Sequence, residues 1–557
     1  AVTVPHDWAI YGPFDRDNDL QKVAVTQNFE KQASVKTGRT GGLPYVGVGW
    51  YRTTFTVPAR KQATLVFDGA MSEARVYING QEACFWPFGY NSFHCDVTPY
   101  IYKDGKPNTL AVRLENKPQS SRWYPGAGLY RNVRLLTTEP VCVPVWGTQL
   151  TTPHVSDKYA SVRLRTEIAN AGNKHIRIVT EIISPDGKVV AAKDNTRKIN
   201  HGQPFEQNFL VDAPALWSPE TPRLYKASSK IYADGRLVDE YTTRFGIRSI
   251  EIVADKGFFL NGKHRKFQGV CNHHDLGPLG AAVNVAALRR QLTLLKDMGC
   301  DAVRTSHNMP APELVELCDE MGFMMMLEPF DEWDIAKCDN GYHRYFDEWA
   351  ERDMVNMLRH YRNNPSVVMW SIGNEIPDTH ADAHGQEITR SLLAVVRKWD
   401  YRKVAPVTIG SNYMPWENAQ KCADIVKVAG YNYAEKYYAE HHEKHPDWII
   451  YGSETSSVVQ SRGVYHFPLE RANLIEADEQ CSALGNSTTS WAAKNTEYCI
   501  IMDRDTPYSC GQFIWTAIDY IGEPTPYQTK NSYFGQMDTA GFPKDSYYVF
   551  RSEWTDG

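Results

Sequence analysis

The chain has 557 residues, 42% of them apolar and 23% charged, which is the composition of a globular protein. That length corresponds to roughly three to four domains. The formal net charge of −6 comes without a dense Lys/Arg patch, so we expect no nucleic-acid partner. No run of about eighteen apolar residues occurs, so no membrane-spanning helix is predicted. The eleven cysteines form no Cys-x-x-Cys pair, which argues against a zinc ribbon or a redox motif.

The first part of the chain, residues 1–140, alternates apolar and polar side chains with the two-residue period of β-strands. The clearest strand segments are 51–57, 63–67, 74–78 and 110–114. Asn79-Gly80 is a dipeptide typical of a two-residue hairpin turn. Repeated short strands separated by turns predict a β-sandwich.

Residues 141–248 repeat this pattern and form a second predicted domain. The strand segments 160–164, 176–182, 205–210 and 224–231 alternate in the same way. Pro185-Asp186-Gly187 and Ala233-Asp234-Gly235 supply turns between them. A domain of this length with around seven strands predicts an immunoglobulin-like β-sandwich.

The pattern changes in residues 249–557, where short apolar strands alternate with amphipathic helices such as 285–298 and 347–360. Eight strand segments can be counted: 267–273, 302–308, 323–330, 367–375, 405–411, 425–433, 448–455 and 511–520. Eight βα units predict a closed (β/α)₈ TIM barrel. The alternative is an open doubly wound sheet, but no Gly-x-Gly-x-x-Gly follows a strand, and the count of eight favours closure.

Two glutamates stand where hydrophobic runs end. The run 367–370 leads into Asn374-Glu375, and the run 448–451 leads into Glu454. The carboxyl ends of barrel strands form the active site of this fold, so both carboxylates are expected at the same mouth. Two carboxylates held by separate strands are what cleavage of a glycosidic bond requires.

Other polar residues lie at the ends of the predicted barrel strands. They are Asn272, His273, His274, Asp275, Arg304, His307, Asn308, Glu328, Asp331, Glu332, Asn432, Tyr433, Trp515 and Asp519. Buried charges without partners cost much free energy, so a mouth this polar must be wet or must serve chemistry.

Several of these residues also have a purely structural interpretation. A glutamate after a strand is often an ordinary loop residue or helix cap. Arg304 fits a structural ion pair that lies below the carboxylates and keeps one of them ionised. Tyr433 fits either the core or a hydrogen-bond donor to a carboxylate. Trp515 fits either the core or a platform for the apolar face of a sugar.

A metal site is a further alternative for this mouth. His273 and His307, together with Glu328 and Asp331, are residue types that bind metals. Their spacing matches no His-Glu-x-x-His zinc motif. The prediction is therefore that no metal ligands are present and that no cofactor is required.

The chain as a whole resembles glycoside hydrolase family 2, the family of β-galactosidases, β-glucuronidases and β-mannosidases. The resemblance rests on Pro5-His6-Asp7-Trp8 and on the segments 121–131, 269–275, 302–307, 370–375 and 535–548. Members of that family combine a jelly-roll sugar-binding domain, an immunoglobulin-like domain and a TIM barrel, which is the order predicted above. The resemblance also implies that the loop 121–131 of the first domain reaches the barrel mouth.

The resemblance implies roles for individual residues. Glu375 would be the general acid/base and Glu454 the nucleophile. Asn374 and His307 would contact the substrate, and Tyr433 would orient the nucleophile. By the same resemblance, His273 would stabilise the transition state, and Trp515 would form the aromatic floor of the sugar pocket.

The sugar is predicted by comparing branches of that family. β-Glucuronidases carry an Asn-x-Lys pair that binds the glucuronate carboxylate, and Ser532 and Phe534 stand at those positions here. A shift in register would bring Lys530-Asn531 there instead. The segment 538–545 is more similar to the β-galactosidase branch. We therefore expect a retaining exo-β-galactosidase, with a β-glucuronidase as the alternative and an inactive carbohydrate-binding protein as the alternative of another class.

Family β-galactosidases can hold magnesium through a Glu and a His on the third barrel strand, where this chain reads Asp331-Glu332-Trp333-Asp334. The His is missing, so these residues do not support a divalent cation. The expected partner is a carbohydrate, either an oligosaccharide or a glycoconjugate. The sequence leaves open a homo-oligomer, further domains after Gly557 and the cell location, for which secreted or periplasmic is the working hypothesis and cytoplasmic the alternative.

Overall fold

The structure is a computed structural model of the chain that describes residues 1–20, 24, 26, 31–35, 38–199, 202–400, 405–467, 479–482, 494–527 and 529–556. Among these residues no helix is both long and apolar enough to cross a membrane. The structure contains two β-sandwiches followed by a closed parallel barrel. The predicted fold class is therefore confirmed.

The first sandwich packs a sheet with strand order β1-β6-β3-β4 against a sheet with order β5-β2-β7. Burial alternates residue by residue along β6, as expected for a strand with one face in the core. The strands are β1 (Gly47–Phe55), β2 (Gln62–Phe67), β3 (Ala74–Ile78), β4 (Gln81–Trp86), β5 (Phe93–Asp96), β6 (Asn108–Asn116) and β7 (Val133–Thr138). Asn79 and Gly80 join β3 to β4 with positive φ angles of 51° and 84°, as a tight hairpin turn requires.

The second sandwich has a sheet with order β11-β10-β13-β14 and a sheet with order β12-β9-β8. Its strands are β8 (Thr148–Val155), β9 (Tyr159–Thr166), β10 (His175–Ile183), β11 (Val189–Lys198), β12 (Phe205–Asp212), β13 (Tyr225–Ala233) and β14 (Arg236–Phe245). The four-plus-three arrangement is that of an immunoglobulin-like sandwich. The domain boundaries at 140 and 248 stay predictions.

A small antiparallel sheet of β15 (Ile250–Val253), β16 (Gly257–Leu260) and β17 (Lys263–Arg265) leads into the barrel. The barrel strands are β18 (Phe267–Asn272), β19 (Ala302–Thr305), β20 (Met324–Leu327), β21 (Val367–Asn374), β22 (Val407–Ser411), β23 (Val428–Asn432), β24 (Ile449–Thr455) and β25 (Ser509–Ile514). They pair in chain order, and β18 closes the ring by pairing in parallel with β25. The carboxyl ends of all eight strands therefore meet at one mouth of the barrel.

The helices around the barrel are α1 (Val285–Asp297), α2 (Pro312–Met321), α3 (Phe346–Tyr361), α4 (Asp378–Ala381), α5 (His384–Trp399), α6 (Glu417–Val426), α7 (Tyr438–Lys444), α8 (Thr496–Arg504) and α9 (Asp545–Trp554). A short hairpin of β26 (Tyr520–Ile521) and β27 (Asn531–Ser532) follows the last barrel strand. The helix segments predicted from sequence correspond to α1 and α3.

The first sandwich is docked against the barrel through buried polar contacts. The Trp86 indole N–H and the Asn91 amide donate to Asp353 Oδ1 on α3, at 2.9 and 2.7 Å. Arg131 Nη2 donates to the Met309 carbonyl at 2.8 Å. These contacts place the loop 121–131 of the first domain at the barrel mouth.

Candidate active site

The two glutamates occupy different positions relative to their barrel strands. β21 ends at Asn374, and Glu375 follows with a φ of 46°, while its N–H donates to the Gly410 carbonyl at 2.8 Å. Glu454 lies within β24, and its carbonyl accepts from the N–H of Tyr433, which has a φ of 54°. Positive φ at non-glycine residues costs free energy and is characteristic of functional sites.

Arg304 lies at the centre of the site and has no exposed surface. Its Nη1 is 2.9 Å from Glu454 Oε1, and its Nη2 is 2.8 Å from both Glu328 Oε2 and Asn374 Oδ1. The planar guanidinium thus links the ends of four barrel strands, which a lysine ammonium could not do with the same geometry. This is the ion pair below the carboxylates that the sequence suggested.

Glu328 is the other carboxylate that Arg304 binds, and it is fully buried. It accepts from the Ser371 hydroxyl at 2.6 Å and lies 2.6 Å from His307 Nδ1. Burial raises the pKa of the Glu328 carboxyl, but Arg304 and His307 outweigh burial and hold this pKa below its usual value. Glu328 is therefore a buried negative charge that fixes the orientation of both Arg304 and His307.

Glu454 is almost fully buried, with 4% of its surface exposed. His307 Nε2 lies 3.4 Å from its Oε1, and the Tyr433 hydroxyl donates to the carboxylate. Burial raises the pKa of Glu454, the nearby charge of Glu375 raises it further, and Arg304 and His307 oppose both. Glu375 therefore lies close enough to Glu454 for its charge to act on the Glu454 carboxyl.

Amide side chains connect the two glutamates. Asn432 Nδ2 donates to Glu375 Oε1 at 3.0 Å and to Asn374 Oδ1 at 3.1 Å. Asn374 Nδ2 in turn donates to Asp331 Oδ1 at 3.0 Å. Because its oxygen accepts from Arg304 and Asn432 and one N–H donates to Asp331, the Asn374 amide has one N–H left to donate.

An aromatic group lies beside the carboxylates. His273 stacks on Tyr520 with ring centroids 4.0 Å apart, and Trp515 stacks on His307 at 5.2 Å. Both ring nitrogens of the buried His273 lack a partner among the described residues. Burial, followed by the His307 charge, holds the pKa of His273 well below its usual value, so its ring is neutral. A buried neutral imidazole without partners is ready to bond a ligand hydroxyl.

The loop of the first domain completes the mouth. Arg122 binds both oxygens of Asp331, with Nε–Oδ2 and Nη2–Oδ1 distances of 2.7 and 2.8 Å. Its Nη1 is 2.7 Å from Glu523 Oε1. Lys337 Nζ adds a 3.0 Å contact to Asp331 Oδ1 and donates to the Asn374 carbonyl at 2.8 Å. The first domain therefore holds, through Asp331, an amide next to Glu375.

The acidic residues after β20 are occupied by protein donors. Asp331 binds Arg122 and Lys337, and Glu332 accepts from the backbone N–H groups of Lys337 and Cys338 at 2.6 and 3.2 Å. Across the described parts of the chain, no group of three or more His, Cys, Asp and Glu residues could hold a metal ion. The expectation that no divalent cation is required stays a prediction.

The structure brings all eight predicted site residues to the barrel mouth. They are His273, Arg304, His307, Asn374, Glu375, Tyr433, Glu454 and Trp515, and their catalytic and binding roles stay predictions. Sequence reasoning missed the contributions of Arg122, Lys337, Asn432 and Tyr520. Strand ends and the loop 121–131 indicated where Arg122 and Asn432 lie, but no spacing indicated that Lys337 would turn back to the mouth.

Comparison with known proteins gives the same domain order. Residues 2–139 match the model "Glycosyl hydrolases family 2, sugar binding domain" and residues 145–248 match "Glycosyl hydrolases family 2". Residues 251–461 match "Glycosyl hydrolases family 2, TIM barrel domain". The matched segments follow one another along the chain without overlap.

Relatives and solved structures align with the whole chain. Beta-galactosidase BoGH2A of Bacteroides ovatus is 39% identical over 100% of this chain and 69% of its own length. A putative beta-glucuronidase of Formosa agariphila is 32% identical over 100% of this chain and 53% of its own length. The chain thus spans little more than half of the second relative.

Among solved structures, a glycosyl hydrolase family 2 member from Bacteroides cellulosilyticus has a TM-score of 0.87 at 30% identity, covering 100% of this chain and 67% of that one. A beta-glycosidase from Bacteroides vulgatus has a TM-score of 0.85 at 30% identity, covering 100% of this chain and 71% of that one. The prediction of a glycoside hydrolase is confirmed, and the chain belongs to glycosyl hydrolases family 2.

Proposed function

We propose that this protein is a retaining exo-β-glycosidase that removes terminal β-galactosyl residues by double displacement. The observation that carries the proposal is the placement of Glu375 and Glu454 at one opening, linked through Asn432, Asn374 and Arg304. A pair of carboxylates in this relation supplies both the acid/base and the nucleophile that glycoside cleavage needs.

In the first step, Glu454 attacks the anomeric carbon while Glu375 gives its proton to the glycosidic oxygen. The bond from the anomeric carbon to that oxygen breaks, and the aglycone leaves as an alcohol. A covalent glycosyl ester on Glu454 remains. In the second step, Glu375 removes a proton from water, whose oxygen attacks the anomeric carbon. The ester bond breaks, Glu454 leaves as a carboxylate, and the sugar is released with its original β configuration.

The surrounding residues support the charge changes of these steps. Arg304 and the Tyr433 hydroxyl favour the ionised form of Glu454 and hold the carboxylate that attacks. The unpartnered imidazole of His273 and the remaining N–H of Asn374 are available to sugar hydroxyls. Trp515, stacked on His307, offers a flat apolar face to the sugar ring.

A galactoside is proposed rather than a glucuronide because neither Ser532 nor Phe534, at the two positions compared above, carries a cation for a carboxylate ligand. The Ser532 hydroxyl donates to the Gly522 carbonyl at 3.2 Å, and Phe534 is buried. Lys530 Nζ lies over the ring of Phe14, 4.5 Å from its centroid. The identity of 39% to a beta-galactosidase supports the same choice, while the beta-glucuronidase relatives keep the alternative in the test.

The experiment that separates these readings compares nitrophenyl β-galactoside with nitrophenyl β-glucuronide as substrates. Preference for the galactoside by at least tenfold in kcat/KM supports the proposal, and preference for the glucuronide replaces the sugar while keeping the mechanism. Binding of sugar without any hydrolysis would indicate the inactive carbohydrate-binding alternative.

Two variants test the assigned roles. Glu454→Gln removes the nucleophile but keeps the side-chain volume, so turnover is expected to fall by several orders of magnitude with the fold intact. Near-normal turnover would remove this role from Glu454. Glu375→Ala is expected to regain turnover of an aryl glycoside when azide is added, because a good leaving group needs no acid and azide replaces the activated water. Absence of rescue would contradict the role of Glu375.

A further inference from the structure

A cluster of aromatic side chains lies on the barrel rim outside the site described above. His380, Tyr413 and Trp416 form this rim platform, with ring centroids of His380 4.0 Å from Tyr413 and 4.7 Å from Trp416. Tyr413 and Trp416 are 5.7 Å apart. Trp416 is 54% exposed although it contacts both other rings.

The rim platform begins beside Glu375. Tyr413 stands two residues after β22, and Gly410 within that strand accepts the N–H of Glu375 at 2.8 Å. Tyr413 is close enough to Glu375 that the glutamate charge, after burial, raises the pKa of the tyrosine hydroxyl. The platform therefore extends outward from the acid/base and not from the nucleophile.

The chemistry of the reaction fixes what lies on that side. Glu375 must reach the glycosidic oxygen, so the group attached to that oxygen lies on the side of Glu375. The aromatic group of His273, Trp515 and Tyr520 lies around the other carboxylate network, where the sugar ring under attack belongs. The rim platform is thus positioned for the leaving group.

An unsatisfied polar atom accompanies the platform. Asn412 directly precedes Tyr413, and its Oδ1 is buried without a partner among the described residues. This carbonyl oxygen can accept a hydrogen bond from a ligand. Leaving a buried acceptor unpaired is costly, and a ligand hydroxyl would remove that cost.

We propose that the rim platform is a leaving-group subsite that binds a second sugar ring, so that the natural substrate is an oligosaccharide. Sugars combine an apolar face, which stacks on Trp416, with hydroxyls, one of which donates to Asn412 Oδ1. A purely aromatic leaving group would stack but would leave the Asn412 oxygen unpaired. This inference rests on the proposed function and specifies its substrate class.

The test compares kcat/KM for a methyl β-galactoside, a nitrophenyl β-galactoside and a β-galactosyl disaccharide in the wild type and in Trp416→Ala. The matched control is Trp50→Ala, which removes a 59% exposed tryptophan from β1 of the first sandwich. Trp416→Ala is expected to lower kcat/KM for the disaccharide at least tenfold more than for either other substrate. Tenfold corresponds to about 1.4 kcal/mol. Trp50→Ala is expected to change none of the three.

Asn412→Ala provides a second variant with the same expected direction, a selective loss for the disaccharide. Equal losses for all three substrates in Trp416→Ala, or a loss for the nitrophenyl substrate as large as for the disaccharide, would overturn the assignment to a sugar. No loss at all would overturn the subsite. Unfolding temperatures of the variants, measured in parallel, identify any variant that fails to fold.

A binding measurement separates this inference from the proposed function. Tryptophan fluorescence of Glu454→Gln is titrated with the disaccharide, and the same titration is made with Trp416→Ala added. Loss of affinity in the double variant supports the rim platform, whether or not the wild type hydrolyses the disaccharide. A wild type that hydrolyses nothing would refute the proposed function but not the rim platform. An unchanged affinity refutes the platform even if the enzyme is active.

Discussion

Arg304 gives the most demanding prediction of this account, because it is a fully buried cation shared by two carboxylates and one amide. Arg304→Met keeps much of the apolar stem and removes the charge. Glu328 and Glu454 would then be buried without that counter-charge. Breaking a buried ion pair by removing one partner costs about 3–5 kcal/mol. The unfolding temperature should therefore fall by several degrees.

The electrostatic effect on catalysis can be worked out in direction and size. Two unit charges about 4 Å apart interact with about 4 kcal/mol at an effective dielectric constant of about 20. The guanidinium is shared with Glu328, so removing it takes away only part of this energy from Glu454, and the pKa of Glu454 should rise because Arg304 is the main influence that lowers it. Glu454 must be ionised to attack, so the acidic limb of the kcat/KM profile should move to higher pH.

The assay is the pH dependence of kcat/KM for a nitrophenyl β-galactoside, with a thermal melt of each variant. Arg248→Met is the matched control, because Arg248 is also buried but donates to the carbonyls of Pro365 and Val367, both at 2.6 Å. It should lower stability without moving the acidic limb. An acidic limb that stays in place in Arg304→Met would refute the assigned electrostatic role of Arg304.

Three further predictions concern Arg122, His273 and the buried carboxyls of Asp353 and Glu435. Arg122→Met should lower kcat about 10- to 100-fold by releasing Asp331, with partial recovery in Arg122→Lys, and steady-state kinetics unchanged from wild type would contradict this. His273→Ala should lower kcat about 100- to 1,000-fold if its ring donates to the transition state, whereas a change in KM alone would exclude that role. Burial raises the pKa values of Asp353 and Glu435 to about 7, above their unfolded values near about 4, so the folded state holds extra protons between those limits. Stability should therefore fall as pH rises from about 4 to about 7, and calorimetry showing equal unfolding temperatures at about pH 5.5 and about pH 8 would contradict it.

Much of the fold could be predicted because each domain has its own periodicity. The two-residue alternation of β6 and β10 and the eight apolar strands of the barrel are local features of the sequence. The ends of the strands were predicted less accurately. The predicted strand 323–330 is Met324–Leu327, and the predicted strand 511–520 is Ser509–Ile514. Buried loop residues such as Phe330 and Trp515 continue the apolar run into the wall of the site, so hydrophobicity cannot mark where the strand stops.

The site could be predicted where its residues end strands, as Glu375 and Arg304 do. Residues that arrive through long-range contacts could not be assigned a partner. Lys337 reaches Asp331 and the Asn374 carbonyl only because the loop after β20 folds back on the mouth. Arg122 comes from another domain, and its contact with Asp331 spans 209 positions of the chain. No local pattern encodes such contacts.

The central claim is that Glu454 forms a covalent bond to the sugar while Glu375 assists from across the same opening. It is tested most directly by incubating the enzyme with a 2-deoxy-2-fluoro β-galactosyl fluoride, which slows hydrolysis of the intermediate, and by mapping the adduct with mass spectrometry. The account predicts one sugar per chain, attached to the peptide that contains Glu454 and absent in Glu454→Gln. An adduct on another residue, or an active enzyme whose first product has the inverted anomeric configuration, would contradict it.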